Sequence, residues 1–459
     1  MIRTIPMQHQ KRVVDLASPL PAAAIVSPYG TGKSLVGLLL IQKENWKIVV
    51  VISTKTAIES TWPDEISKHS DFMYTILSGS SPQKARTLIN SASRFYYQYR
   101  HIPQARMIVL VNYDGVKNIF PLLVQLKAQA VFLDEALRIK HGDTLRTQVM
   151  WAYGKTVPRR YTIGGFLFSD HFYEVYSQIK FLDNGERLGN SFDSFLSTYF
   201  EKKKAGPMKG KLAPKRGAVK KIYDKIKDIC IIVPDNIINL PPAVHKDIAL
   251  APTDYQEELL EKVRKDMKIE LERKHINLVS VFALDTKARE ICDGFIYNGK
   301  RVKFFETPKD EALLDLVGQI GPSEKHLIWT TFRPTLYRIE RLLTNDGHKV
   351  LTLHGDTPDV RKLVRTFQHS TSHNLLVAMI QKGNESVTLS NCRYATYYSH
   401  TWSNDQFGNS MARTRRKGSE IHESIIYSSL FIKNSVEERM RGNIHTKTEY
   451  IAKAKKYFC

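Results

Sequence analysis

The chain has 459 residues, 42% of them hydrophobic, and its 68 lysines and arginines outnumber 46 aspartates and glutamates to give a formal net charge of +22. That length and apolar content support two or three domains with their own cores, while Cys230, Cys292, Cys392 and Cys459 are too scattered for a zinc site or a disulfide framework. No apolar run reaches the length of a membrane span and the opening MIRTIPMQHQKR lacks the apolar middle of a secretory signal, so a cytoplasmic protein is expected, with a polyanion as partner, nucleic acid first.

The first informative stretch is IVSPYGTGKSLVG, residues 25–37. It departs from the pattern G-x-x-x-x-G-K-[ST] by placing Ser27 at the first position. Phosphates require backbone N–H groups turned inward at a helix N-terminus, with one long cation and one hydroxyl beside them. Gly30 and Gly32 supply the backbone freedom, Lys33 can reach the β and γ phosphates, and Ser34 can place its hydroxyl on Mg²⁺. With Thr31 between the two glycines, the run is expected to cradle a nucleotide. AAAIV before it reads as a buried strand and KSLVGLLLIQK after it as an apolar helix. A glycine-rich turn in an unrelated α/β protein is the competing reading of this stretch alone.

Further short β-branched runs follow: KIVVVIS at 47–53, MIVLVNY at 107–113, AVFLDE at 130–135 and RRYTIGG at 159–165. Strands of this kind separated by helices predict a parallel sheet covered on both faces. At the end of the third run Asp134 and Glu135 emerge at the C-terminal edge, where open α/β sheets bind ligands. Asp134 is assigned with Ser34 to the Mg²⁺ shell, and Glu135 to orienting or deprotonating the attacking water. Two acids capping a strand-to-helix junction is the plainer alternative for such a pair.

The segment from Glu201 to Lys221, EKKKAGPMKGKLAPKRGAVKK, is rich in lysine, glycine and proline and is expected to be a mobile loop, either solvated or resting on a phosphate backbone. A second set of strands is predicted at 325–332, 349–355, 374–380 and 394–400, with a mostly helical region between the two sets.

Beyond these local readings, the order of segments resembles a known family. MQHQ with Gln10 is similar to a glutamine motif, ISTKTAIESTWPDEISKH carries Trp62 and Glu65, LVNYDGV centres on Tyr113, and DEALRIKHGDTLRT follows DEAH-R-I-K with Leu137 in the histidine's place. RRYTIGGFLFSD resembles a coupling motif, and IINLPPAVHKDIAL the crossover into a second lobe. HLIWTTFRPTLYRIERLL and LHGDTPDVRKLVRTFQ come next, then YYSHTWSNDQFGNSMARTRRKGS, similar to Q-x-x-x-R-x-x-R-x-G-Q, and finally SVEERM with Lys447 beyond it. Over nearly its whole length the chain resembles the superfamily-two helicase-like ATPases, in particular the Swi/Snf branch of double-stranded DNA translocases.

The resemblance implies an α/β fold of two RecA-like parallel-sheet lobes with helical insertions between them. The lobes would span residues 1–235, with a helical and basic insertion at about 171–230, and 236–459, with a helical insertion at about 252–295. It implies ATP and Mg²⁺, adenine read by Gln10, Arg416 as an arginine finger and Arg413 as a supporting phosphate contact. It implies duplex or branched DNA as the track, no membrane, a monomer as default, and a compact viral or bacterial motor working in the cytoplasm, or in the nucleus of a eukaryote.

Departures stand beside the matches. Gly164, Gly165 and Phe166 replace a usual T-G-T, Ser386 replaces a glycine, and Asn409 replaces the glutamine that opens the arginine motif. None of these touches Mg²⁺ or water, so an intact hydrolysis site with altered coupling is expected. A nucleotide-dependent DNA-binding scaffold with vestigial hydrolysis and an RNA-directed helicase are the alternatives.

Overall fold

The computed structural model describes residues 1–28, 30–99, 101–202, 212–272, 277–381 and 387–444. They fall into two compact units, the first Met1–Ile238 and the second beginning at Asn239.

The first unit is built on a seven-stranded parallel sheet. Its strands are β1 (Ala22–Val26), β2 (Ile48–Ser53), β3 (Met73–Leu77), β4 (Met107–Asn112), β5 (Ala130–Asp134), β6 (Arg159–Gly164) and β9 (Cys230–Ile232), in the spatial order β3-β4-β2-β5-β6-β1-β9. Every paired strand in it is parallel. Alternate residues of one strand feed opposite cores: Val50 and Ile52 pack into one cluster, Val49 and Val51 into the other. That is why the strands read as unbroken apolar runs: each is covered on both faces. Phe132 and Tyr161 stack with ring centroids 5.1 Å apart in the second cluster, beside Trp46.

Two strands of this sheet escape sequence patterning, and both lie at its edges. In β3, Tyr74 is exposed between half-buried Met73 and buried Thr75, and β9 has three residues. An edge strand needs neither a continuous apolar run nor length.

The mobile loop expected from Glu201 to Lys221 is corrected over its described part. β7 (Phe200–Lys202) pairs antiparallel with β8 (Leu212–Pro214), and a helix covers Ala218–Ile226. The helix buries Ala218, Ile222 and Ile226, an i, i+4, i+8 stripe easily overlooked among the lysines. Residues 203–211, the centre of the basic run, lie outside the described residues.

The second unit carries a six-stranded parallel sheet of β10 (Ala243–Leu250), β13 (His326–Thr330), β14 (Val350–Leu353), β15 (Leu375–Met379), β16 (Tyr394–Tyr397) and β17 (Ile425–Ile432), ordered β10-β17-β16-β13-β15-β14. β17 is buried inside the sheet, yet Ser428 and Ser429 break its apolar run. Between β10 and β13 the described residues hold three helices, Asp254–Glu272, Leu278–Cys292 and Pro308–Gln319, and the antiparallel pair β11 (Phe295–Asn298) and β12 (Arg301–Phe304). The region expected to be mostly helical thus holds a small sheet as well.

A buried polar knot ties this unit together. Lys309 Nζ donates to Asp293 Oδ1 at 2.9 Å, to Glu437 Oε1 at 2.6 Å and to the Tyr398 carbonyl at 2.8 Å. Thr335 and Ser399 donate to the other oxygen of Asp293. Burial depresses an ammonium's affinity for its proton, but Asp293 and Glu437 outweigh it and hold the Lys309 pKa above its ordinary value. Among the described residues no helix is long and apolar enough to cross a membrane.

Candidate active site

The phosphate loop grows directly out of β1. Ser27 N donates to the Gly164 carbonyl at 2.9 Å, which ties the loop's first residue to the end of β6. Thr31 Oγ1 donates to Pro28 O at 2.7 Å and has one proton, so the 2.6 Å contact between Ser27 Oγ and Thr31 Oγ1 has Ser27 as donor. The serine at the position usually held by glycine therefore closes the loop with a hydroxyl chain. Both side chains are buried.

Gly30 has φ +81° and Gly32 φ +76°, the left-handed region that glycine enters without penalty. Gly32 precedes the helix Lys33–Lys43, and a Cβ on it would overlap the amide nitrogen of Gln10. Gln10 Nε2 donates to Thr31 O at 2.9 Å, Gln10 Oε1 accepts from Met7 N at 2.9 Å, and His9 Nε2 lies 3.1 Å from Thr31 O. Gln10 thus braces the loop as well as standing where the resemblance puts an adenine contact. Lys33 Nζ lies 3.2 Å from Ser27 O and 3.3 Å from Pro28 O, which curls its ammonium over the loop. Ser34 is the second residue of that helix.

In the sheet order β5-β6-β1, one strand separates the loop from the two carboxylates. Both lie at the same C-terminal edge, about 10 Å apart at two strand spacings. Ser53 Oγ donates to Asp134 Oδ2 at 2.8 Å and Trp62 Nε1 to the same oxygen at 3.0 Å. Tyr113 Oη donates to the Asp134 carbonyl at 2.8 Å. Burial, with the charges of Asp134 and Glu135 added, holds that phenol well above its usual pKa, so it remains a donor.

Glu135 adopts φ +54° and ψ +52°. For a residue with a Cβ this conformation costs about 1–2 kcal/mol, and it persists where packing on either side dictates it. Here β5 precedes it and the turn Ala136–Ile139 follows, with Ala136 and Ile139 buried. Lys140 anchors the next segment: its Nζ lies 2.9 Å from Ser169 Oγ and Asp170 Oδ2 and 3.4 Å from Glu174 Oε1. Burial opposes its charge, but Glu174 and Asp170 prevail and its pKa is raised.

The glycine at the start of the coupling segment is not forced by space. A Cβ on Gly164 would sit 3.6 Å from the Phe166 carbonyl and 3.9 Å from Ala136 N, both ordinary contacts.

The two arginines of the second unit converge on one carbonyl. Arg413, in the helix Asn404–Thr414, places Nη1 3.5 Å from Val387 O and donates through Nε to Asn409 O at 3.1 Å, while Arg416 Nη1 lies 3.4 Å from the same Val387 O. Arg413 is buried at 7% exposure and Arg416 is half-buried. Asn409 donates to Asp405 Oδ1 at 3.0 Å. Ser386 and Lys447 lie outside the described residues.

Hard oxygen donors and a backbone cradle suit Mg²⁺ bound mainly through substrate phosphates. Ser34 and Asp134 are of that kind, and the two left-handed glycines form the cradle. The sequence reading did not single out Ser53, His9 or the Ser27–Thr31 link. Ser53 left one signal: it is the polar residue closing the apolar run IVVVIS at the edge where Asp134 ends its own strand.

Residues 30–294 match the SNF2-related domain, and residues 308–418 match the helicase conserved C-terminal domain. Putative protein p41 of Acyrthosiphon pisum secondary endosymbiont phage 1 is 21% identical over 329 residues, covering 69% of this chain and 70% of that protein. The Sulfolobus solfataricus SWI2/SNF2 ATPase core in complex with dsDNA is similar at 15% identity and a TM-score of 0.44, over 99% of this chain and 97% of that one. The Sulfolobus solfataricus SWI2/SNF2 ATPase core domain is similar at 16% identity and a TM-score of 0.43, over 97% and 89%.

Proposed function

This chain belongs to the SNF2-related family of superfamily-two, helicase-like proteins, and from that premise we propose that it hydrolyses ATP with Mg²⁺ and uses the cycle to move along duplex or branched DNA. One observation carries the reading: a phosphate loop with Lys33 and a carboxylate pair, Asp134 and Glu135, stand at one edge of one sheet, separated by a single strand.

In this proposal the loop N–H groups and Lys33 hold the β and γ phosphates, and Gln10 holds the adenine end while bracing Thr31. Mg²⁺, when bound, neutralises charge on those phosphates, with Ser34 and Asp134 in its shell. Glu135 orients the water and takes its proton as the water oxygen attacks the γ phosphorus and the bond to the β-phosphate oxygen breaks. Arg416, the less buried of the arginine pair, is the cation that would reach the γ phosphate when the two units close, with Arg413 supporting it. Closure with ATP and reopening after hydrolysis need different affinities of the two states for nucleotide, which is what would drive stepping. The charge of +22 supplies backbone contacts with little sequence preference. We take the working form to be a monomer in a bacterial or virus-infected cytoplasm.

The test is the steady-state ATPase rate against duplex DNA, branched DNA, single-stranded DNA and RNA, with Lys33→Ala and Glu135→Gln beside the parent chain. DNA stimulation, lost by about 10²-fold or more in both variants, is expected. Folded protein with no ATPase above background on any of the four overturns the proposal, and stimulation by RNA alone reassigns the track. The Gly164-Gly165-Phe166 replacement favours one second reading, a nucleotide-dependent DNA-binding scaffold. In that case Glu135→Gln would keep nucleotide-dependent DNA binding and cellular function.

A further inference from the structure

The side chains of Ser53 and Trp62 meet at one oxygen of Asp134, although they leave the chain 81 and 72 residues before it. Ser53 is fully buried and Trp62 is 1% exposed. A carboxylate oxygen accepts about two hydrogen bonds, so this pair fills Oδ2 and Oδ1 is the oxygen left for other work.

The choice of donors matters electrically. A hydroxyl and an indole N–H are neutral, so they orient the carboxylate without cancelling its charge, as an arginine or lysine would. Indole is also rigid and has a single N–H, so its donor direction is set once the ring is packed.

The ring is packed against the helix that bears the phosphate-loop lysine. A Cβ on Gly37 would stand 3.3 Å from Trp62 Cη2, so the indole rests on that glycine. Gly37 follows Lys33 by four residues and Ser34 by three, and therefore shares a helix face with both. One rigid ring thus touches the helix carrying Ser34 and bonds the carboxylate of Asp134, the two groups assigned to Mg²⁺.

We propose that Trp62 and Ser53 are positioning residues for the metal: they saturate Oδ2 of Asp134, turn Oδ1 to the Mg²⁺ shell, and index that carboxylate to the helix of Ser34. The inference rests on the assignment of Asp134 and Ser34 to Mg²⁺ and goes beyond it by naming what sets their mutual geometry. Gly37 belongs to the same device, since a Cβ there would already press on the indole at 3.3 Å.

The test reads metal, not turnover. Binding of a fluorescent, non-hydrolysable ATP analogue is titrated with Mg²⁺ for the full chain and for Trp62→Phe, Ser53→Ala and the double variant. Binding is also measured in EDTA, and melting temperatures are taken alongside. Each single variant should raise the Mg²⁺ half-saturation concentration by about tenfold and the double variant by up to about a hundredfold, the usual range for partners of metal-binding carboxylates. Nucleotide affinity in EDTA should stay within about twofold of the parent, an effect that general loosening of the fold would not produce. Should Trp62→Phe fail to fold, Ser53→Ala, which deletes one buried oxygen, decides the matter. The inference is overturned by a folded double variant, or in that event a folded Ser53→Ala, with the parent's Mg²⁺ midpoint. It is equally overturned by variants that lose affinity to the same extent with and without Mg²⁺. In both cases Mg²⁺-dependent binding by the parent leaves the proposed function standing. A parent chain whose nucleotide binding ignores Mg²⁺ overturns both.

Discussion

Replacing Lys309 by methionine removes the ammonium from a knot that holds two buried carboxylates. The side chains of Lys309 and Asp293 are fully buried and that of Glu437 is 2% exposed, so the two carboxylates are shielded from bulk water that could stand in for the lost donor. Asp293 Oδ1, Glu437 Oε1 and the Tyr398 carbonyl each lose a hydrogen bond of 2.6–2.9 Å. Breaking a buried pair from one side costs about 3–5 kcal/mol, because the remaining charge is stranded in a poor dielectric.

The pH dependence follows from the same arithmetic. One ammonium cannot neutralise two carboxylates, and burial pushes the Glu437 carboxyl up to about 7 although Lys309 opposes it. A group whose folded-state pKa is raised contributes stability that is complete below its unfolded value, about 4.5, and is lost as pH rises through 7. In Lys309→Met the opposing ammonium is gone, so the penalty should be smaller near pH 5, where Glu437 carries a proton, than at neutral pH and above, where both carboxylates are stranded.

Hydrogen–deuterium exchange read on peptides separates the two units. Protection of β13 and β16, corrected for intrinsic exchange, should fall by about 10²- to 10⁴-fold at pH 7.5, with β2 and β5 unchanged. Protection within threefold of the parent at that pH would refute the claim that Lys309 neutralises the knot. The consequence reaches function because Tyr398 and Ser399, both bonded into the knot, begin the segment that leads into the arginine helix.

Three further outcomes are expected. Gly32→Ala puts a Cβ into a left-handed residue and onto the Gln10 amide, so fluorescent-nucleotide affinity should fall at least about tenfold, from a local strain of about 1–2 kcal/mol plus a displaced brace; unchanged affinity would show that Gln10 does not support the loop. At Gly164 a Cβ meets only ordinary contacts, so Gly164→Ala should leave the unfolding free energy within about 1 kcal/mol of the parent, and Gly164→Thr, which restores the hydroxyl, should raise the ratio of DNA-stimulated to basal ATPase above that of Gly164→Ala; equal ratios would refute the coupling role. Arg416→Ala should lower kcat by about 10³-fold with little change in melting temperature, whereas Arg413→Ala should also destabilise by about 1–3 kcal/mol, because Arg413 is buried and bonds Asn409 O; equal stability losses would erase that distinction.

The sequence by itself determined whatever is written in contiguous residues. A strand, two glycines, a lysine and an apolar helix fix the phosphate loop locally, and an apolar run ending in Asp134 and Glu135 fixes which edge of the sheet they leave. The central strands β1, β2, β4, β5 and β6 were legible because burial on both faces demands unbroken apolar runs, whereas β3, β9 and β10 at the edges and β17 with its paired serines lack that pattern. Ser27 departs from the loop's usual spelling, and only the fold places Thr31 and Gly164 against it. Tertiary structure alone decided that Ser53 and Trp62 hold Asp134, and that residues 293, 309, 398 and 437 form one knot. A periodic pattern specifies which face of an element is buried, but a hydrogen bond across 70 or 130 residues depends on the order and register of parallel strands, and only the folded sheet sets those.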